Sequence, residues 1–232
     1  MANAKGARDA IVEAPTEHAS RLRREPQQRR SRERIHSVIE ATKQLVVELD
    51  PHDVTTTLVA ERAGVSVAWI YQYFEDRQAI FDTIVLDAVE RIFELGQRSA
   101  EATLDAGWRN VVRAGIEATA QFYATEPAFV RLWTSPFRSV DMLDSNQLHD
   151  RDQAAAFYEV ATAAGAFRPG ADTRKAIELC VRLIDRGLEF AFATDPAGDR
   201  QVLDLLTQTI IGAMEPFTPE LAASEPARRS TR

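Results

Sequence analysis

The spacing of apolar residues limits how this chain can fold more than any other feature. From Ile35 onward these residues recur every three or four positions, through Val38, Ile39, Leu45, Val46 and Leu49. That spacing places one continuous apolar stripe along a helix of about residues 31–49. Strand-like alternation does not persist beyond a few residues anywhere in the chain. The pattern therefore predicts an all-α protein.

Capping and helix-ending residues divide the chain into nine predicted helices. Asp50-Pro51 ends the first, because a residue that precedes proline avoids the α region. Thr55, Ser66, Asp76 and Asp172 carry side-chain oxygens that can cap a helix N-terminus. These signals predict helices over about 31–49, 55–63, 67–74, a long stretch after 76, 108–125, 127–135, 140–164, 172–194 and 199–215.

Composition excludes several classes of protein. The apolar stretches are interrupted by charges before the roughly 18 residues that a membrane span needs, and the first 30 residues lack the apolar core of a secretory signal. The single cysteine, Cys180, excludes an intramolecular disulfide framework and a cysteine-based zinc cluster. The four histidines have no metal-ligand spacing. We therefore expect a cytoplasmic protein with no metal, no cofactor and no contact with a membrane.

The charge is unevenly distributed. The formal net charge is -7, but residues 1–34 contain nine basic and five acidic residues, a balance of +4 that leaves -11 for the rest. A short cationic arm on an acidic body can contact phosphates although the whole chain is acidic. The alternative is a solvated terminus without a partner.

Residues 55–74 predict two short helices that meet across a turn containing Gly64 and Val65. This arrangement is typical of a helix-turn-helix, whose second helix can enter the major groove of DNA. A helical corner in any all-α protein has similar spacing. The preceding amphipathic helix, the arginines before it and the aromatic and polar run at 69–73 favour DNA binding.

The same residues resemble a known family. The pattern is Thr55, Val59, Ala60, Ala63, Gly64, Val65, Ser66, Ile70, Tyr71, Tyr73, Phe74 and Arg77. Over about residues 29–88 it resembles the DNA-binding domain of the TetR (tetracycline repressor) family of transcriptional regulators. The resemblance implies a basic arm at 1–28, a helix-turn-helix domain at 29–88, a larger helical domain for ligand binding and dimerisation at 89–216, and a polar tail at 217–232.

The resemblance also implies the roles of individual residues. Thr55 would direct the end of its helix at a phosphate, Tyr71 and Tyr73 would hold phosphates, and Arg77 replaces the lysine that is usual in the family. The full predicted DNA-binding set is Arg29, Arg30, Arg32, Thr55, Thr56, Ser66, Val67, Ala68, Trp69, Tyr71, Gln72, Tyr73 and Arg77. Trp69 stands where the family mostly has a small residue. Its ring either contacts thymine methyl groups or packs inward and displaces the helix.

The remainder of the chain contains no enzyme-like constellation: no Ser/His/Asp spacing, no glycine-rich phosphate loop and no His-x-x-x-His pair. It is rich in aromatic residues, which predict either an ordinary core or a ligand pocket between helices. The predicted pocket residues are Phe93, Trp108, Phe122, Tyr123, Phe129, Trp133, Phe157 and Asp185. Asp185 could instead belong to a salt-bridged dimer seam with Arg182 and Glu189.

The helices predicted near 173–194 and 199–215 are apolar on most sides, which indicates a partner. Two copies of each would form the four-helix bundle by which the family dimerises. A twofold dimer requires a near-palindromic operator with half-sites about 34–36 Å apart. The function implied is a repressor released from double-stranded operator DNA by a small molecule. The alternatives are an activator, a ligand-independent regulator, or a helical ligand-binding module without DNA binding.

Overall fold

The computed structural model describes residues 22–23, 29–136 and 138–219, and within these ranges the regular structure is entirely helical. This confirms the predicted all-α class with nine α-helices. They are α1 (Arg29–Glu48), α2 (Thr56–Ala63), α3 (Val67–Tyr73), α4 (Arg77–Thr103), α5 (Trp108–Thr125), α6 (Pro127–Trp133), α7 (Val140–Ala163), α8 (Ala171–Phe192) and α9 (Arg200–Met214). A 3₁₀ turn follows α4 at Leu104–Ala106, and another follows α9 at Glu215–Phe217.

Most predicted caps are confirmed, and one is wrong. The Asp76 carboxylate accepts a hydrogen bond from the Ala79 amide at 2.8 Å, and Asp199, which was not predicted as a cap, caps α9. Helix α8 begins at Ala171 without a side-chain cap, so Asp172 is not the cap that the sequence predicts. Asp172 lies instead in the first turn, where its negative charge is favoured by the positive end of the helix dipole.

The chain forms two compact units whose boundaries differ from the predicted domains. The N-terminal unit contains residues 22–23, 29–92, 122–136 and 138–147 of the described chain, and the C-terminal unit contains residues 93–121 and 148–219. Residues 122–147 therefore pack with the helix-turn-helix, and the predicted domain bounds of 29–88 and 89–216 stay a prediction. The division points fall inside α4, α5 and α7.

The predicted apolar stripe of α1 and buried residues of α2 and α3 form the core of the N-terminal unit. Val38 and Val46 on α1 are fully buried, as are Val59 on α2 and Ile70 on α3. Helix α1 also packs against α6. Phe129 of α6 stands edge-on to Tyr123, with ring centroids 5.1 Å apart, and further rings extend this aromatic cluster.

The core of the C-terminal unit centres on α8 and α9, which pack closely on each other. Gly187 makes the approach possible, because a Cβ atom at this position would lie 2.6 Å from Cδ1 of Leu206 on α9. Ile177, Leu188 and Ile210 are almost completely buried in this region. The two helices thus form one continuous layer of the unit.

Two classes of feature are absent from the described residues. Their helices include none that combines the length and the apolar content needed to cross a membrane. The same residues contain no group of three or more His, Cys, Asp or Glu side chains arranged to hold a metal ion.

Candidate nucleic-acid interface and ligand cavity

A capped helix, a left-handed glycine and a second capped helix form the candidate nucleic-acid interface. Thr55 has extended backbone angles, and its hydroxyl accepts a hydrogen bond from the Leu58 amide at 3.2 Å. Gly64 ends α2 with φ of 67°, a conformation that costs glycine little because it has no Cβ. The Val65 amide then donates to the Ala60 carbonyl at 3.0 Å, which closes the turn.

Helix α3 begins at Ser66, whose hydroxyl accepts from the Trp69 amide at 3.1 Å. Ile70 on α3 and Phe74, which follows it, are fully buried, so one side of the helix is anchored in the core. The exposed residues of this stretch are Ser66, Ala68, Tyr71 and Gln72, with Val67, Trp69 and Tyr73 partly exposed. Seven residues of the predicted DNA-binding set are therefore exposed or partly exposed on a short, fixed helix.

Trp69 lies on the surface of the unit and not in its core. Its ring centroid is 4.7 Å from that of Tyr73, and the Arg34 guanidinium carbon is 6.0 Å from the indole centroid. Ile70, the next residue, occupies the buried position. The indole is thus held by an aromatic neighbour on the same helix and by a cation from α1, and the N-cap of α3 remains intact.

Tyr71 links the two short helices. Its hydroxyl lies 3.4 Å from the Thr56 hydroxyl on α2, and either oxygen can act as the donor. The Tyr71 side chain is 44% exposed, so the phenol is accessible while its position is set by α2. Such a pair presents two hydroxyl groups to an anion at one point of the surface.

Arg77 has an internal role that sequence reasoning missed. Nη1 of Arg77 donates to the carbonyl oxygens of His52 and Val54, at 2.8 and 2.9 Å, and the guanidinium lies over the Phe81 ring. The side chain therefore ties the turn between α1 and α2 to the start of α4. The predicted phosphate contact would have to use the other N–H groups of this guanidinium.

The other two basic residues between 35 and 80 also have internal partners. Arg62 forms a two-point ion pair with Glu48, at 3.0 and 2.8 Å, and these hydrogen bonds lower the pKa of the Glu48 carboxyl. Lys43 lies 3.3 Å from Glu40. We therefore expect much of the cationic contact to a phosphate backbone to come from the arginines at the start of α1 and from the arm before them.

Those arginines are exposed as predicted: Arg29, Arg30 and Arg32 project from the first turns of α1, and Arg29 is paired with Glu33 at 2.8 Å. Most of the predicted arm at 1–28 lies outside the described residues. Arg23 is described, and its amide donates to the Tyr73 carbonyl at 2.8 Å. This part of the arm therefore meets the C-terminal end of α3.

The C-terminal unit contains a cavity of about 180 Å³ between α4, α5, α7, α8 and α9. Phe93 and Phe157 of the predicted pocket set lie on its wall. Its other lining residues include Gly96, Gln97, Ala100, Val111, Gly115, Ile116, Thr119, Gln153, Val160, Ile177, Cys180, Ile184, Ile210 and Met214. Burial raises the pKa of the Cys180 thiol to about 11, so this side chain is neutral at physiological pH.

The structure does not bring the other predicted pocket residues to this cavity. Trp108 packs on Phe167, with centroids 5.0 Å apart, and Asp185 does not line the wall. The four remaining residues belong to the aromatic cluster of the N-terminal unit, where burial accounts for them; they are Phe122, Tyr123, Phe129 and Trp133. Aromatic content alone does not distinguish a core from a pocket.

The lining residues, missed and predicted together, did carry a signal in the sequence. On α4 they fall at positions 93, 96, 97 and 100, and on α7 at positions 153, 156, 157 and 160. Spacings of three and four place each set on one face of its helix, and both faces mix small, polar and aromatic residues. A face with several small or polar residues among apolar ones is typical of a cavity wall.

The outer surface of α8 and α9 carries apolar side chains without cover in the single chain. Leu179 is 58% exposed, Phe190 is 70% exposed, and Leu205 on α9 is 65% exposed. Within α8, Arg182 pairs with Glu178 at 2.8 Å, and Glu189 pairs with Arg186. These are pairs between successive turns of one helix.

Comparisons with known proteins agree on one family. Residues 38–84 match the model described as "Bacterial regulatory proteins, tetR family", and residues 106–217 match "Tetracyclin repressor-like, C-terminal domain". Among curated proteins, the HTH-type transcriptional regulator BetI of Escherichia coli is 28% identical over 126 residues. This alignment covers 51% of the present chain and 63% of BetI.

Solved structures share the fold. A TetR-family transcriptional regulator from Streptomyces coelicolor aligns with a TM-score of 0.60 and 22% identity, covering 79% of this chain and 97% of that one. SmeT, the repressor of the Stenotrophomonas maltophilia multidrug efflux pump SmeDEF, aligns with a TM-score of 0.61 and 16% identity, covering 77% and 89%. A SmeT–triclosan complex aligns with a TM-score of 0.57 and 14% identity, covering 76% and 90%.

Proposed function

The chain belongs to the tetR family of bacterial regulatory proteins, and from this premise we propose that it is a DNA-binding transcriptional repressor of the cytoplasm. In this proposal a homodimer binds a near-palindromic operator, and a small molecule in the C-terminal unit releases it. The role is regulatory, not catalytic.

One observation carries the DNA-binding part of the proposal: the exposed side of α3 carries residues of the predicted DNA-binding set. Ile70 and Phe74 hold the helix from beneath, so Ala68 and Gln72 project outward on a rigid support. A glutamine can form two hydrogen bonds with the edge of an adenine, and an alanine methyl can contact a thymine methyl. The hydroxyl pair of Thr56 and Tyr71 adds a contact for a phosphate.

The dimer part rests on the exposed apolar residues of α8 and α9. Leu179, Phe190 and Leu205 each expose more than half of their surface. Exposed apolar patches of this kind mark protein–protein interfaces. A twofold axis through these helices would supply the two copies of α3 that a palindromic site requires.

Release by a ligand needs a difference in affinity between the DNA-bound and the free conformation. Helix α4 is the element we propose to carry this difference. Its first half belongs to the N-terminal unit, and its second half lines the cavity through Phe93, Gly96 and Gln97. The triclosan complex of SmeT supports the general idea that a protein of this fold binds a small molecule.

A mobility-shift assay on the DNA that flanks the encoding gene tests the proposal. Gln72→Ala should weaken specific binding by about 1–3 kcal/mol, or roughly five- to a hundredfold, because one base contact is lost. Gln44→Ala, an exposed glutamine on α1 in the same unit, is the matched control and should bind as wild type does. Failure to retard the DNA at low salt would favour the ligand-binding module without DNA binding.

In vitro transcription from the retarded fragment separates repressor from activator. We expect the purified dimer to lower transcript yield. A rise in yield would support the activator alternative and leave the DNA-binding proposal intact.

A further inference from the structure

We propose that the cavity of the C-terminal unit takes an uncharged, largely apolar effector of about one substituted ring, with a polar group bound by the amide of Gln153. This inference rests on the proposed function and names the chemical class of the ligand. It follows from the charge, the size and the polar groups of the cavity wall.

The wall excludes charged ligands. None of the described side chains that line the cavity carries an ionic charge. The Cys180 thiol, whose pKa is raised by burial, is neutral as well. Moving an ion from water into such a space costs several kcal/mol unless an opposite charge pairs with it. A carboxylate or a quaternary ammonium would find no such partner on this wall.

The volume limits the size. About 180 Å³ is slightly more than the 150 Å³ or so of an engineered apolar cavity that holds benzene. A ring with one small substituent therefore fits.

Two amides give the cavity its polar character. Gln97 on α4 and Gln153 on α7 both line it, and a carboxamide offers two donors and an acceptor with two lone pairs. A Cβ on Gly96 would lie at an ordinary contact distance of 3.5 Å from Nε2 of Gln153, so this amide lies beside α4. The Thr119 hydroxyl already donates to the Gly115 carbonyl at 2.9 Å, so toward a ligand it is an acceptor.

Four probes, each a benzene ring with one small substituent, test the ligand class on the purified full-length protein. They are acetophenone (neutral, with a carbonyl), α-methylstyrene (neutral, without one), benzoate (an anion) and phenyltrimethylammonium (a cation). Binding is measured by calorimetric titration and by the shift in Tm. We expect acetophenone to bind about three- to tenfold more tightly than α-methylstyrene, the worth of one hydrogen bond, and both ions to bind at least a hundredfold more weakly than acetophenone.

Two variants locate the binding. Gly115→Leu fills the cavity, and a Cβ at this position meets no atom within 4 Å, so the protein should fold and lose binding of both neutral probes at least tenfold. Ala155→Leu makes a similar enlargement on an exposed position of α7 and should bind as wild type does. Gln153→Leu should remove the preference for acetophenone over α-methylstyrene and keep binding of the latter.

The outcomes separate this inference from the proposed function. Preference for either ion, unchanged binding in Gly115→Leu, or no binding of any probe up to its solubility limit would overturn the inference. Each of these results is independent of whether the protein retards its operator. Binding of acetophenone without any effect on a demonstrated DNA complex would support the inference and contradict the ligand-release part of the proposed function.

Discussion

At the scale of single residues, contacts between near neighbours in the sequence are predicted well, whereas contacts between distant residues are not. Thr55 and Ser66 cap their helices as predicted, because a cap is a contact between residues three positions apart. Arg77 reaches carbonyl groups more than twenty positions earlier in the chain. No local pattern reveals such partners. Arg77, which was expected to contact a phosphate, holds the turn between α1 and α2.

Replacing Arg77 tests this structural role. Arg77→Met should lower the free energy of unfolding by about 2 kcal/mol, because charge-assisted hydrogen bonds to two carbonyls are lost. Urea denaturation followed by circular dichroism measures the change. Arg32→Met, at an exposed position on α1, should leave stability within about 0.5 kcal/mol and reduce the salt dependence of DNA binding. Equal stability of the two variants would contradict the role assigned to Arg77.

At the scale of helices, the turn between α2 and α3 depends on one left-handed residue. Gly64 has φ of 67°, and a Cβ there would meet no atom within 4 Å. The cost of a side chain at this position is therefore conformational and not steric. Gly115, inside α5, also has open space around it but carries no such φ, so the two glycines respond differently to the same substitution.

Paired alanine substitutions check this contrast. Gly64→Ala should destabilise the protein by about 1–2 kcal/mol, the cost of a left-handed L-residue. Gly115→Ala should stabilise it by roughly 0.5–1 kcal/mol, because alanine is the better helix former. Thermal unfolding monitored by circular dichroism gives the direction of the stability change for each variant. A shift in the same direction for both variants would show that backbone conformation is not the deciding factor.

At the scale of the whole molecule, the exposed apolar residues of α8 and α9 indicate how two copies of the chain would assemble. Phe190 and Leu205 are largely exposed on α8 and α9, and these helices were predicted to dimerise from their apolar content. Val140, at the start of α7, is equally exposed, at 72%. An isolated apolar residue on a surface is ordinary, whereas several on one helical layer indicate an interface.

Charge substitution distinguishes these surfaces. Phe190→Glu and Leu205→Glu should raise the dimer dissociation constant by about a hundredfold or more, since an unpaired carboxylate buried in an interface costs several kcal/mol. Sedimentation equilibrium measures the constant, and the same variants should lose operator binding. Val140→Glu is the control and should assemble as wild type does. A monomeric wild-type protein would refute the proposed dimer directly.

The lining of the cavity could be predicted only in part from the sequence. Of eight residues expected around a ligand, Phe93 and Phe157 line it, because only these two lie on helix faces that turn toward the cavity. The aromatic residues of α6 follow the same 3.6-residue periodicity, yet they pack in the other unit. Periodicity tells which side of a helix is apolar, and it does not tell which neighbour covers that side.

By itself, the sequence determined the all-α class, the nine helices with three of the four predicted N-caps, and the helix-turn-helix, because these depend on contacts within a few residues along the chain. The tertiary structure alone decided that residues 122–147 join the N-terminal unit, that Arg77 holds a turn, and that the described lining of the cavity is uncharged. Those features depend on which helix faces meet. That choice is made by the packing of the whole core, in which residues far apart in the chain become neighbours.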